Sequence, residues 1–179
     1  MRKAYRKGAL GALLDEYERA ASELRSLVEQ ISDDEFVRIV DSQTSDENCR
    51  SIQTIMAHVV SAGYGYADHI RSRFSFMVST IYGAKSGFSI SSTRPPKRLF
   101  SRQESVAQLE SMLEYTAQTL EGRWEMTDEE IENITMHTGW GVTYDLEQLL
   151  EHAIVHLLRQ RRQVEKFMLQ GKITALSDI

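Results

Sequence analysis

Five histidines, at positions 58, 69, 137, 152 and 156, are the side chains in this sequence best suited to hold an ion or to move a proton near neutral pH. His152 and His156 are four residues apart, which on a helix places two imidazoles on neighbouring turns, within reach of one ion. Gln160 continues the same row. His58 could complete a site only if two separate helices meet. His69 follows His58 by eleven residues, which is about 16 Å along a helix axis, so those two cannot share an ion. Taken alone, an i,i+4 pair of histidines is more often exposed or hydrogen-bonded than metal-bound, and a third His on another helix shifts that balance only modestly. Cys49 is the single cysteine, so there is no internal disulfide and no CxxC motif, and any metal must be held by His, carboxylate or amide groups. No Ser-His-Asp spacing, phosphate-cradling glycine loop or HExxH motif is present, which removes the hydrolases built on them.

These candidates need helices to position them, and the apolar pattern supplies four. Leu10, Leu13, Leu14, Tyr17, Ala21, Leu24, Val28 and Ile31 recur every three or four residues and predict a first helix. After a polar break over 41–48, Ile52, Ile55, Met56, Val59, Gly63, Tyr66, Ile70 and Phe74 predict a second, from about Arg50 to about Val78, carrying His58 and His69. Ser101 and Glu104 have capping-box spacing and open a third, with Val106, Leu109, Met112, Leu113, Thr116 and Leu120 as its stripe. Asp145 and Gln148 open the last, whose stripe of Leu146, Leu149, Leu150, Ala153, Leu157, Val164 and Phe167 runs to a plausible stop at Gly171. Between the third and last helices, Asp128, Glu129 and Glu130 suggest a short helical turn, and 138–141 a tight connection around Trp140.

Pro95 and Pro96, the only prolines, sit in a Ser-, Gly- and Thr-rich stretch over 86–100 that reads as a loop between the second and third helices. The expected fold is therefore an all-α four-helix bundle, one domain over 1–179, with a long crossover between helices two and three. On a helical wheel of about 100° per residue, Gln160 lies about 40° from the core direction of the last helix, His156 about 80° and His152 about 120°, so His156 and Gln160 point inward better than His152. Tyr64, Tyr66 and Trp140 could line a pocket, although aromatics in a bundle are more often core. Gly63 and Gly65 inside the second helix would permit close packing or a bend near His58. His137 reads as a surface residue.

Hydrophobic residues make up 41% and charged residues 26% of the chain, ordinary for a globular protein, and no run of about 20 apolar residues could cross a bilayer. The formal net charge of −5 disfavours a nucleic-acid-coating surface. Lys85, Arg94, Lys97, Arg98 and Arg102 form an acid-free basic stretch, read as a solvated loop ahead of an anion site. The basic start at Arg2, Lys3 and Arg6 is followed too soon by Asp15, Glu16 and Glu18 for a signal peptide, so a cytoplasmic location is expected.

Two segments, Ser51-Ile52-Gln53-Thr54-Ile55-Met56-Ala57-His58 and the run from Leu149 to Val164 containing His152, His156, Gln160 and Gln163, resemble the DinB/YfiT-like family of DNA-damage-inducible proteins. Helix order and spacing extend the resemblance over most of the chain. It implies a four-helix bundle holding a divalent metal, with one His from the second helix and two ligands four apart on the last, followed by a Gln. Aligning that Gln with Gln163 gives His58, His156 and Gln160; aligning the visible His pair gives His58, His152 and His156. The first set is preferred, with His152 as a nearby substitute or a support for a ligand. Zinc or nickel suits imidazoles, and an amide at Gln160 would weaken the site or leave it empty. The resemblance further implies a metal-dependent hydrolase or transferase acting on a small molecule, with thiol transfer as a candidate reaction. The alternative is a bundle with a degenerate metal site that serves as a non-catalytic binding or interaction module. No nucleic-acid or membrane partner is expected, and a homodimer is the commonest closed assembly for such a bundle.

Overall fold

The computed structural model describes residues 5–82, 95 and 98–177. Four long helices dominate: α1 (Gly8–Glu29), α3 (Ile52–Tyr82), α4 (Arg102–Leu120) and α6 (Leu146–Ser177), with short helices α2 (Asp33–Val37) and α5 (Asp128–Glu132) between them. A 3-10 turn at Glu47–Cys49 precedes α3, and a hairpin of β1 (Met136–His137) and β2 (Thr143–Tyr144) precedes α6. Among the described residues, no helix is long and apolar enough to cross a membrane.

The apolar stripes read from the sequence are the core. Leu14 and Leu24 of α1, Ile55 and Ile70 of α3, Met112 of α4 and Leu157 of α6 are fully buried in one continuous cluster. Local side chains fix where the two histidine-bearing helices begin. Ser51 Oγ accepts from the Thr54 amide while Thr54 Oγ1 accepts from the Ser51 amide, satisfying donors that the first turn of α3 leaves open. Asp145 and Gln148 exchange the same pair of bonds at the start of α6. The expected box at Ser101 and Glu104 caps α4. Two features differ from expectation. Helix α2 is capped by a box at Ser32 and Glu35. Helix α6 continues through Gly171 to Ser177, since one glycine costs a helix only about 1 kcal/mol and does not have to stop it.

Packing order gives the topology. Helix α1 lies against α4 and α6, and α3 lies against the same two, so the four close a ring in which α1 and α3 stand diagonally. Along α3 and α4, Gly63 meets Met112, Tyr115 hydroxyl donates to Asp68, and Arg123, just past α4, stacks over Phe74. Numbers rise together, so these neighbours run parallel. Arg25 pairs with Glu110, whereas Gly8 abuts Trp124, so α1 and α4 are antiparallel. Adjacent parallel helices require a connection that returns the length of the bundle, which is the expected crossover. Most of the predicted proline loop, with Lys85, Arg94, Pro96 and Lys97, falls outside the described residues. Of the basic stretch, Arg98 pairs with Glu104 and Arg102 with Asp33, as exposed ion pairs.

Gly63 shows why α3 and α4 approach so closely. A Cβ built there would lie 2.3 Å from Met112 Sδ and 2.9 Å from Tyr17 Oη, so no side chain fits without displacing both.

Candidate functional site

Helices α3 and α6 face each other antiparallel, because His58 meets His156 while Tyr66, two turns further along α3, sits against His152. The Nε2 atoms of His58 and His156 are 2.9 Å apart, with the rings edge to face at 69° and 4.8 Å between centroids. At that distance one nitrogen donates and the other accepts, so the two rings cannot both be cations. Burial pushes the His156 pKa down to about 4, helped by His58, His152 and Arg159, so His156 is neutral at physiological pH. A neutral imidazole keeps the lone pair that a metal or a proton needs.

The pair opens into a cavity of about 530 Å³ between α3 and α6, within the range of small-molecule pockets. His152, one turn before His156, lines it; the ring stacks on Trp140 at 22°, and Nδ1 is 3.4 Å from the Tyr144 hydroxyl. Burial and the Arg159 charge hold His152 below the usual histidine range. Tyr66 forms the inner wall, and burial pushes its phenol up to about 12, so it remains a hydrogen-bond donor across the physiological range. His69 lines the far end against Trp140. Among the described residues, no Asp, Glu, Lys or Arg lines this cavity.

Trp140 sits in place because of the hairpin. Buried Thr138 exchanges both backbone and hydroxyl bonds with Val142, and Gly141 takes φ +86°, a left-handed conformation that favours glycine. The hairpin tip thereby holds a half-exposed indole over the cavity mouth instead of in the core. Gly65 supplies the remaining space: a Cβ there would meet nothing within 4 Å.

A family model for the DinB family matches residues 2–171. The chain belongs to the DinB family. Comparison with curated proteins and with solved structures found no significant match.

For a DinB chain, the geometry sorts the sequence candidates clearly. His58, His152 and His156 converge on one cavity, whereas Gln160 is half-buried and lines neither cavity that reaches His58. The helical wheel favoured Gln160 because it measured the direction of the core, while the cavity lies on the flank of α6. Tyr66 is both core and cavity wall, Tyr64 packs on Tyr115 elsewhere, and Trp140 departs from the core expectation. His137 is exposed, as expected. Tyr144 and the hairpin that places Trp140 carry little signal in the sequence, because strands of two residues leave almost no alternating pattern to detect.

Two imidazole nitrogens on one tetrahedral zinc, each about 2.0–2.1 Å from it, stand about 3.4 Å apart, so the His58 and His156 nitrogens need to part by about 0.5 Å. Both rings are half-buried and stand on separate helices. Among the described residues, no three His, Cys, Asp or Glu side chains already surround one point. His152, one turn before His156 on α6, lines the same cavity and offers a third imidazole. Two imidazoles in place and a third one turn away fit an ion that prefers nitrogen.

Proposed function

We propose that this DinB-family protein is a divalent-metal-dependent enzyme acting on a small molecule, with His58, His156 and His152 as ligands and zinc or nickel as the ion. The observation that carries this reading is the meeting of His58 and His156 Nε2 atoms from separate helices at the head of an uncharged cavity. When bound, the ion supplies Lewis acidity, making a coordinated water or thiol more acidic at neutral pH. Everything else is done by the chain. Tyr144 orients His152, and the Ser51 and Asp145 caps fix the start of each ligand-bearing helix. Trp140 and Tyr66 wall the cavity, exclude water from the imidazoles and offer flat apolar surfaces to a ligand. Tyr66 hydroxyl holds its proton and can donate a hydrogen bond to an anionic atom of the substrate. Group transfer to or from a small thiol suits this arrangement, because it needs a polarising ion beside an apolar pocket and no charged nucleophile in the wall.

Metal content of untagged protein purified without chelator tests the reading. Close to one zinc or nickel per chain, lost in His58→Ala, is the expected result; no His58-dependent metal rejects it.

A second reading is favoured by the same 2.9 Å contact. His58 and His156 can satisfy one another, and His152 rests on Tyr144, as in a binding module that has dispensed with metal. Tight zinc or nickel binding by the wild type removes this reading.

A further inference from the structure

A second cavity, of about 550 Å³, adjoins the first and shares His58 and Ser61 with it, so the two form one trough along α3 with His58 at the divide. Their walls differ in kind. Among the described residues the first lobe is aromatic and uncharged, whereas the second is lined by Arg50, Arg98 and the single carboxylate of Glu47, together with Ile39 and Leu99, aliphatic side chains that are each more than half exposed. We infer that the second lobe is an anion-binding arm of the substrate site, in which Arg50 and Arg98 take the carboxylate or phosphate of a small molecule whose apolar part lies on Ile39 and Leu99. This inference rests on the reading that the reacting end of the substrate lies at His58 and His156.

Three observations carry it. Arg50 lines the lobe with a side chain that is 40% exposed, so part of its guanidinium group is open to a ligand there. Among the described residues, the acid paired with Arg50 is Glu47, at 3.5 Å and 81% exposed. An exposed pair of that kind contributes little, so an oxyanion entering the lobe displaces it at small cost and gains charge-assisted bonds in a drier setting. Arg98 is held over the Phe100 ring at 4.6 Å and donates from both terminal nitrogens to Glu104, an exposed pair that an entering anion must compete with. Of the further carboxylates nearby, Asp46 is turned onto the Asn48 amides and the Cys49 thiol, Asp41 accepts from the Gln43 and Thr44 amides, and neither lines the lobe. Aliphatic side chains exposed beside two arginines suit a ligand that is apolar and anionic at once.

Titration calorimetry on the full-length, chelator-treated protein provides the test, with phenylacetate, phenyl phosphate and neutral 2-phenylethanol as probes. At least one anion should bind about tenfold or more tightly than the alcohol, the value of one charge-assisted hydrogen bond. Arg50→Gln should remove most of that advantage and Arg98→Gln part of it. The tighter of the two anions identifies the carboxylate or the phosphate source. Equal binding of all three probes, or an anion preference that survives both substitutions, overturns the inference. Should Arg50→Gln fail to fold, the Arg50 Nε–H resonance of the wild type decides: it shifts on adding the anions if the inference holds, and its constancy at saturation rejects it. Because metal is absent from the measurement, failure here leaves the metal reading to stand or fall on metal content, and anion selectivity without His58-dependent metal overturns that reading alone.

Discussion

Gly63 and Gly65 are two residues apart on α3 and face opposite situations. At Gly63 the space is closed by Met112 and Tyr17, while at Gly65 a side chain would enter an open cavity. One helix thus builds the core with one face and leaves the other face unfilled beside His58. Close packing is the default of a protein interior, and the cavity of about 530 Å³ walled by imidazoles and aromatics is where it gives way.

The largest expected effect comes from breaking the closed side. Gly63→Leu forces Met112 and Tyr17 apart and should cost about 3 kcal/mol in chemical denaturation. A change near zero would show that the α3–α4 contact is looser than described. Acid should act on the open side. In the metal-free protein the folded His156 has a pKa of about 4 against an ordinary value of 6.5, so the unfolded chain binds the extra proton between those values. Stability is therefore full above about pH 6.5 and falls as the pH drops toward 4, by about 1–2 kcal/mol once partial exposure is allowed for. Carboxylates titrate in the same window, so the measurement is the difference from His156→Leu, which should lack that part of the slope. Equal slopes would mean that His156 is not buried against His58.

Smaller effects sharpen the contrast. Gly65→Ala should raise stability by up to about 1 kcal/mol, since helix propensity improves and nothing is met. Gly65→Phe should leave denaturation nearly unchanged yet abolish binding of small aromatic probes, measured by quenching of Trp140 fluorescence against a Trp124→Phe background. Undiminished binding in that variant would place the ligand elsewhere. Trp140→Ala should change stability least, because its indole is 49% exposed.

The difference between the two faces also explains what the sequence made legible. Core positions repeat with the helix, so Ile52, Ile55, Val59 and Ile70 announce α3 and its inward face without any partner in view. Paired caps such as Ser101 with Glu104 are local and equally readable, and Ser32 with Glu35 carried the same signal for α2. A cavity has no period. The choice between His152 and Gln160 turned on where the flank of α6 meets α3, and the second lobe exists only because residues 47–50 and 98–99 converge on α3 from distant parts of the chain. His58 and His156 were legible because imidazole is rare in a core stripe; Tyr144 and Trp140 depend on a hairpin of two-residue strands.

The most direct measurement follows the imidazole nitrogens of His58 and His156 by nitrogen NMR while zinc is added to the metal-free protein. The Nε2 signals of both residues should move together and finish at one equivalent of zinc, and His58→Ala should abolish the change at His156. Movement of only one of the two, or of neither, would contradict a shared ion between α3 and α6.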